Sequence, residues 1–135
     1  MNVTLELLED GRIIGKARQH TVEVGLPAPG SAGGGGITAP ELLLLALGCC
    51  KLGNIRSYAA QRGISLKDVR FDLEGEVAEA PSRVARISIV ARIGDDLKDL
   101  RLETLEAVAN RCKIHNTLRE TPEIEFRLLT GAVEE

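Results

Sequence analysis

Apolar and polar side chains alternate with a period of two in three segments of the chain. Over residues 69–77 the apolar set is Val69, Phe71, Leu73 and Val77, against Arg70, Asp72, Glu74 and Glu76. Over residues 83–93, Ala85, Ile87, Ile89, Ala91 and Ile93 share one face, opposite Arg86, Ser88 and Arg92. Over residues 123–129, Ile124, Phe126 and Leu128 fall on one side. Successive side chains of a strand point to opposite faces, so each segment predicts a half-buried strand of an antiparallel sheet, one face wet and one covered. The short link 78–82, with Pro81, closes the first two into a hairpin. Nearer the start, Val3, Leu5 and Leu7, then Ile13-Ile14, then Val22 and Val24 predict two or three further strands, with a turn at Asp10-Gly11.

Two segments carry helical spacing instead. Residues 97–112 place Leu97, Leu100, Leu105, Val108 and Cys112 on one stripe. A longer helix is expected from about residue 39 to 62, stopped by Gly63. Its first half, Leu42-Leu43-Leu44-Leu45-Ala46-Leu47, is apolar all round. Such a helix must be enclosed on every side, and one small sheet cannot enclose it. A second subunit is the natural cover, so a dimer is expected.

Length and composition narrow the class. The chain has 135 residues, 44% hydrophobic and 27% charged, which fits one globular domain over 1–135 and excludes disorder as the main state. The net charge is -3 and aromatics make up 2%, only Tyr58, Phe71 and Phe126. Nucleic acid is a poor partner for a chain with neither a basic groove nor stacking platforms. The start of the chain lacks a signal-peptide pattern, and the apolar run 42–50 is about half of a membrane span. The expected location is the cytoplasm, where thiols stay reduced; Cys49, Cys50 and Cys112 then read as core residues or as redox chemistry.

Residues 26–37, LPAPGSAGGGGI, form a glycine-rich connection without the Gly-Lys-Ser/Thr ending of a phosphate loop. It is read as a surface connection rather than as a lid over the helix start. On the helix that follows, Cys49 shares a greasy face with Leu42, Leu45, Ala46 and Leu52. Cys50 falls with Gly53, Asn54 and Ser57, where there is room and hydrogen-bonding capacity, so it is the better candidate for a reactive thiol. Cys112 would reach Cys50 if its stripe packs on the central helix, although two distant cysteines are more often unrelated core residues. His115 is read as an exposed turn residue, with help to Cys112 as a base the alternative. Thr38-Ala39-Pro40-Glu41 matches a capping box, which accounts for Glu41 without chemistry; the helical wheel also sets Glu41 on the side opposite Cys50. No metal-ligand spacing and no hydrolase elbow is present, so neither a metal nor a cofactor is expected.

These residues resemble the OsmC/Ohr family of hydroperoxide-reducing proteins. The resemblance lies in the Gly-rich loop, then Pro40-Glu41-Leu42-Leu43-Leu44, then Ala46-Leu47-Gly48-Cys49-Cys50, then Cys112-Lys113-Ile114-His115-Asn116-Thr117-Leu118. It covers essentially the whole chain. It implies an α+β OsmC-like fold, with antiparallel sheets packed around the long central helix in an intertwined homodimer. It also implies a thiol peroxidase in which Cys50 attacks an organic hydroperoxide and Cys112 resolves the sulfenic acid. An external dithiol, a lipoylated protein or thioredoxin, would reset the pair.

Three departures accompany the resemblance. Acidic Glu9-Asp10 stands where the family places a thiolate-steadying arginine, leaving Arg12 and Arg18 as substitutes. Glu41 is one place off the family's helix-start glutamate, and Lys113 replaces a proline. They place the chain nearer a less characterised branch. The leucine-rich helix favours alkyl over inorganic peroxide, and the alternative is an OsmC-fold binding or thiol-sensing protein without efficient peroxidase activity.

Overall fold

The structure, a computed structural model, describes residues 1–30, 34–94 and 100–132. Three short strands, β1 (Thr4–Leu7), β2 (Ile13–Ala17) and β3 (His20–Val24), form an antiparallel meander. Leu7 pairs with Ile13 across the Asp10-Gly11 turn, and Ile13 pairs with Val24. Gly11 takes φ 90°, and Asp10 Oδ1 accepts from the Arg12 amide at 3.0 Å, so the expected turn residues do the turning.

After β3 the glycine-rich connection returns alongside that strand. The Gly25 amide donates to Ile37 O and the Gly36 amide to Gly25 O, both at 2.9 Å, with Val24 and Ile37 bridged in parallel. A side chain at position 36 would run into the Glu23 carbonyl, and Gly35 sits at φ 71°. At least these two glycines are demanded by the backbone path.

Thr38 starts α1 (Ala39–Ala60) with the full capping box: Glu41 N donates to Thr38 Oγ1 at 3.4 Å, and Thr38 N donates to Glu41 Oε1 at 2.9 Å. Gly63, at φ 73°, ends the helical run as expected; the Ile64 amide bonds back to Ala59 O. The hairpin β4 (Arg70–Ala78) and β5 (Arg83–Arg92) follows, Phe71 opposite Ala91 and Leu73 opposite Ile89. Its apolar face lies on α1, with Leu73 against Gly48 and Leu44 near Gly75. The other side of α1 carries two short helices, α2 (Leu102–Ala109) and α3 (Lys113–Arg119). The core between them is Leu47, Ile55, Ala59, Leu105, Val108 and Cys112.

Two expectations are corrected. The helix predicted over residues 97–112 is shorter: it begins at Leu102 and ends at Ala109, and Leu97 lies outside the described residues. Cys112 does not close that helix but starts the next one, because the chain reverses at Asn110-Arg111. The strand predicted over residues 123–129 does not form. Ile124, Phe126 and Leu128 are exposed, Phe126 at 87%, because among the described residues no strand runs beside this segment to complete a ladder. Leu45, in the apolar half of α1, remains 54% exposed within one chain, in keeping with a helix that one small sheet does not enclose.

Candidate active site

The three thiols are free and occupy three environments. On a helix turning about 100° per residue, Cys49 and Cys50 leave α1 on different sides. Cys49 is exposed on the wall of a cavity of about 340 Å³ lined by Leu45, Leu52, Phe71 and Leu73. Cys50 is half-buried and faces the start of α3. Cys112 is fully buried and is the N-cap of α3; its Sγ accepts from the His115 amide at 3.4 Å.

The free amides of a helix's first turn point outward and favour negative charge. Here they meet Cys50. The Ile114 N–H favours the ionised sulfur most, the Cys112 thiol next, and the Lys113 N–H and ammonium charge add to them; against partial burial these hold the Cys50 thiol below its ordinary value. Cys112 moves the other way: burial pushes it up, and the bond it donates to Cys50 keeps its proton in place. The arrangement therefore separates two thiols in contact into one inclined to ionise and one inclined to stay protonated. That division suits a nucleophile and a second thiol that acts after it.

The remaining site candidates lie elsewhere. Glu41 is an exposed cap, nine residues before Cys50 and so roughly 13 Å along the helix axis. Its carboxyl is held below the usual range by the Thr38 amide and hydroxyl. Arg12 is exposed and paired with Asp10 at 2.8 Å and Glu23 at 3.6 Å, and Arg18 is exposed in the β2–β3 turn at φ 54°. Neither arginine is among the groups acting on Cys50 within the chain.

Sequence reasoning missed Lys51. Its side chain is 6% exposed, between Leu47 and Ile55 on α1, and its ammonium donates to Asn110 Oδ1 at 3.2 Å, to Ala109 O at 3.5 Å and toward His115 Nδ1 at 3.0 Å. A lysine flanked at four residues on either side by buried aliphatic positions was the available signal. His115 is not the exposed turn residue expected; it is half-buried on α3, and burial first, then the charges of Lys51 and Arg119, lower its pKa. Asn54, on the Cys50 face, donates to the Arg111 carbonyl at 2.8 Å rather than to the thiol.

Comparison with known proteins identifies the fold. Among solved structures, an OsmC like protein from Mycoplasma pneumoniae superposes with a TM-score of 0.69 at 20% identity, covering 89% of this chain and 87% of that one. An organic hydroperoxide resistance protein OsmC from Legionella pneumophila gives 0.57 at 20% identity, with 88% of each chain covered. The organic hydroperoxide resistance protein OhrB of Bacillus subtilis gives 0.54 at 17% identity, covering 89% and 90%. No curated protein matches. The model of the family described as OsmC-like protein matches residues 31–127, a span holding α1, the β4–β5 hairpin, both short helices and both members of the thiol pair; the chain belongs to the OsmC-like family.

Proposed function

We propose that the chain is a cysteine-based peroxidase that reduces organic hydroperoxides to alcohols. The observation that carries this reading is the contact of Cys50 with the Ile114 amide and the Cys112 thiol together. The Cys50 thiolate attacks the distal peroxide oxygen, the O–O bond breaks, and the alkoxide leaves as alcohol with a proton from solvent. Cys50 becomes a sulfenic acid. Cys112 then attacks the Cys50 sulfur, water leaves, and a Cys50–Cys112 disulfide remains. An external dithiol, a lipoylated protein or thioredoxin, supplies two electrons and two protons to restore the pair. The leucine-rich first half of α1, leading up to Cys50, supports an alkyl substrate over hydrogen peroxide. The solved structures from Legionella pneumophila and Bacillus subtilis carry hydroperoxide resistance in their names, which supports the same substrate class. A dithiol cycle needs reduced cysteines at rest, so the cytoplasm is the fitting compartment.

The working unit in this reading is an intertwined homodimer of one-domain chains. One chain exposes 11268 Å², whereas a compact monomer of its mass exposes about 6,900 Å². The surplus, about 4,400 Å² per chain, is well above the roughly 800 Å² that each partner gives to a standard interface. Leu5 and Leu7 of β1 and Ile124 and Phe126 near the other end are apolar and uncovered, and among the described residues no helix packs extensively on β1–β3.

A second reading is an OsmC-fold ligand-binding or thiol-sensing protein. It is favoured by a cavity of about 670 Å³ between α1, α2 and the hairpin, lined by Phe71, Ile89 and Leu105 and not by Cys50. Intact mass after one equivalent of cumene hydroperoxide separates the two. Rapid loss of two hydrogens in wild type and Cys49→Ser, gain of one oxygen in Cys112→Ser and no change in Cys50→Ser are expected of the peroxidase. A wild type that does not react rapidly belongs to the second reading.

A further inference from the structure

The corner between α2 and α3 carries Cys112, Lys113 and Ile114, the groups that favour an ionised Cys50, and the same corner is tied to α1 by two residues close to that cysteine. Lys51 follows Cys50 directly, and Asn54 lies one turn further along. An ammonium has three N–H groups, and Lys51 has three acceptors: Ala109 O, Asn110 Oδ1 and His115 Nδ1. Two of them mark the C-terminal end of α2, where a cation is favoured, and the third belongs to the first turn of α3. Asn54 Nδ2 adds bonds to Val108 O at 3.4 Å and Arg111 O at 2.8 Å. The attachments run from Val108 to His115 and bracket Cys112, Lys113 and Ile114.

We infer that Lys51 is a positioning residue for the thiol pair: its buried ammonium, with Asn54 beside it, staples the α2–α3 corner to α1 so that Cys112 and the Lys113 and Ile114 amides stay on Cys50. The inference rests on reading Cys50 and Cys112 as a working pair. His115 can accept from an ammonium only through an unprotonated nitrogen, and its environment favours the neutral ring. In the reduced protein the second thiol is thereby already ordered against the first, so closing the disulfide sacrifices little chain freedom. Without the ammonium, Asn110 and His115 turn toward water and the corner loosens around Cys112.

The test is the equilibrium of the Cys50–Cys112 disulfide with reduced and oxidised glutathione, in a Cys49→Ser background, read by intact mass after acid quench. Lys51→Met is expected to lower the equilibrium constant about tenfold, which for a two-electron couple raises the reduction potential by about 30 mV. His115→Leu shifts it the same way, whereas His115→Gln, whose amide oxygen still accepts, stays within about threefold of wild type. If Lys51→Met does not fold, the Leu and Gln variants at 115 decide alone. A lower Tm with an unchanged constant, or equal shifts for Leu and Gln, overturns the inference. Glutathione exchange involves no peroxide, so a chain inert to cumene hydroperoxide that shows these shifts fails as a peroxidase and keeps the staple. A wild type that forms no Cys50–Cys112 disulfide overturns the staple itself.

Discussion

The backbone N–H of Ile114, in the first turn of one helix, does most to favour an ionised sulfur on Cys50 in the middle of another. A main-chain donor is held by the helix it belongs to and needs no side-chain ordering to stay in place. It therefore favours a thiolate in a way that no substitution at position 114 other than proline removes. The neighbouring thiol, Cys112, is fixed by the same turn as its N-cap. One short helix thus meets both sulfurs; its amides prevail at Cys50, whereas burial outweighs them at Cys112 and raises that thiol.

Alkylation kinetics read those shifts directly. Iodoacetamide reacts with the thiolate, so the pH of half-maximal rate follows each thiol's pKa. In a Cys49→Ser background, the Cys50 midpoint should lie below that of the same residue in the urea-unfolded chain. Cys112 should lie above its own unfolded midpoint, because burial raises it. Site-resolved peptide mass measures both, and a folded Cys50 midpoint at or above the unfolded one would remove the basis for its nucleophilic role.

Thr38 and Glu41 act on helix formation rather than on the thiol. Thr38→Ala deletes the hydroxyl that both accepts from Glu41 N and donates to Glu41 Oε1, and is expected to cost about 1 kcal/mol in urea unfolding. Glu41→Ala should be destabilising in wild type and less so in Thr38→Ala, where the hydroxyl bond is already gone and only the residue 38 amide still donates to Glu41 Oε1. Neither change should move the Cys50 alkylation midpoint. A shifted midpoint would return Glu41 to the site.

How much was legible followed from how local each cause is. The strands β1–β5 rest on period-two alternation, and the start of α1 rests on Thr38 and Glu41 three residues apart, so both were readable from neighbours in sequence. Cys50 was selected over Cys49 by the room and polarity of its helix face. The polar neighbour Asn54, however, binds the α2–α3 corner, not the thiol. Cys112 was misplaced onto α2 because an apolar residue four after Val108 continues a helical stripe whether or not the backbone does. Lys51 went unseen because its acceptors come from a remote part of the chain. The alternation at 123–129 reports which side chains want cover without naming the strand that supplies it.

The glycine tract offers a paired test of backbone demand. At Gly36 a Cβ would collide with the Glu23 carbonyl, an atom that cannot swing aside as a side-chain tip can. Gly36→Ala should therefore destabilise the chain by about 1–3 kcal/mol and loosen the Val24–Ile37 bridge. At Gly34 a Cβ meets nothing within 4 Å, and Gly34→Ala should be neutral or gain up to about 1 kcal/mol by restricting the unfolded chain. Urea midpoints of the two variants check the contrast. Equal effects would mean that the return path along β3 does not constrain position 36.

Assembly decides how the uncovered apolar surface is satisfied. Ile124 and Phe126 alternate with charged neighbours as a half-buried strand would, and Leu5 and Leu7 do the same on β1, yet all four are exposed in one chain. Water around such surface is unfavourable, and its removal in a second copy supplies stability that the small core of one chain lacks. Light scattering on the eluting protein should give twice the 14.5 kDa chain mass, and the thermal midpoint should rise with protein concentration. Phe126→Asp places an unpaired charge where burial is required and should shift the mass toward one chain with loss of cooperative unfolding. A monomer at every concentration, with Phe126→Asp as stable as wild type, would mean that these residues face water by design and that each thiol site is complete within one chain.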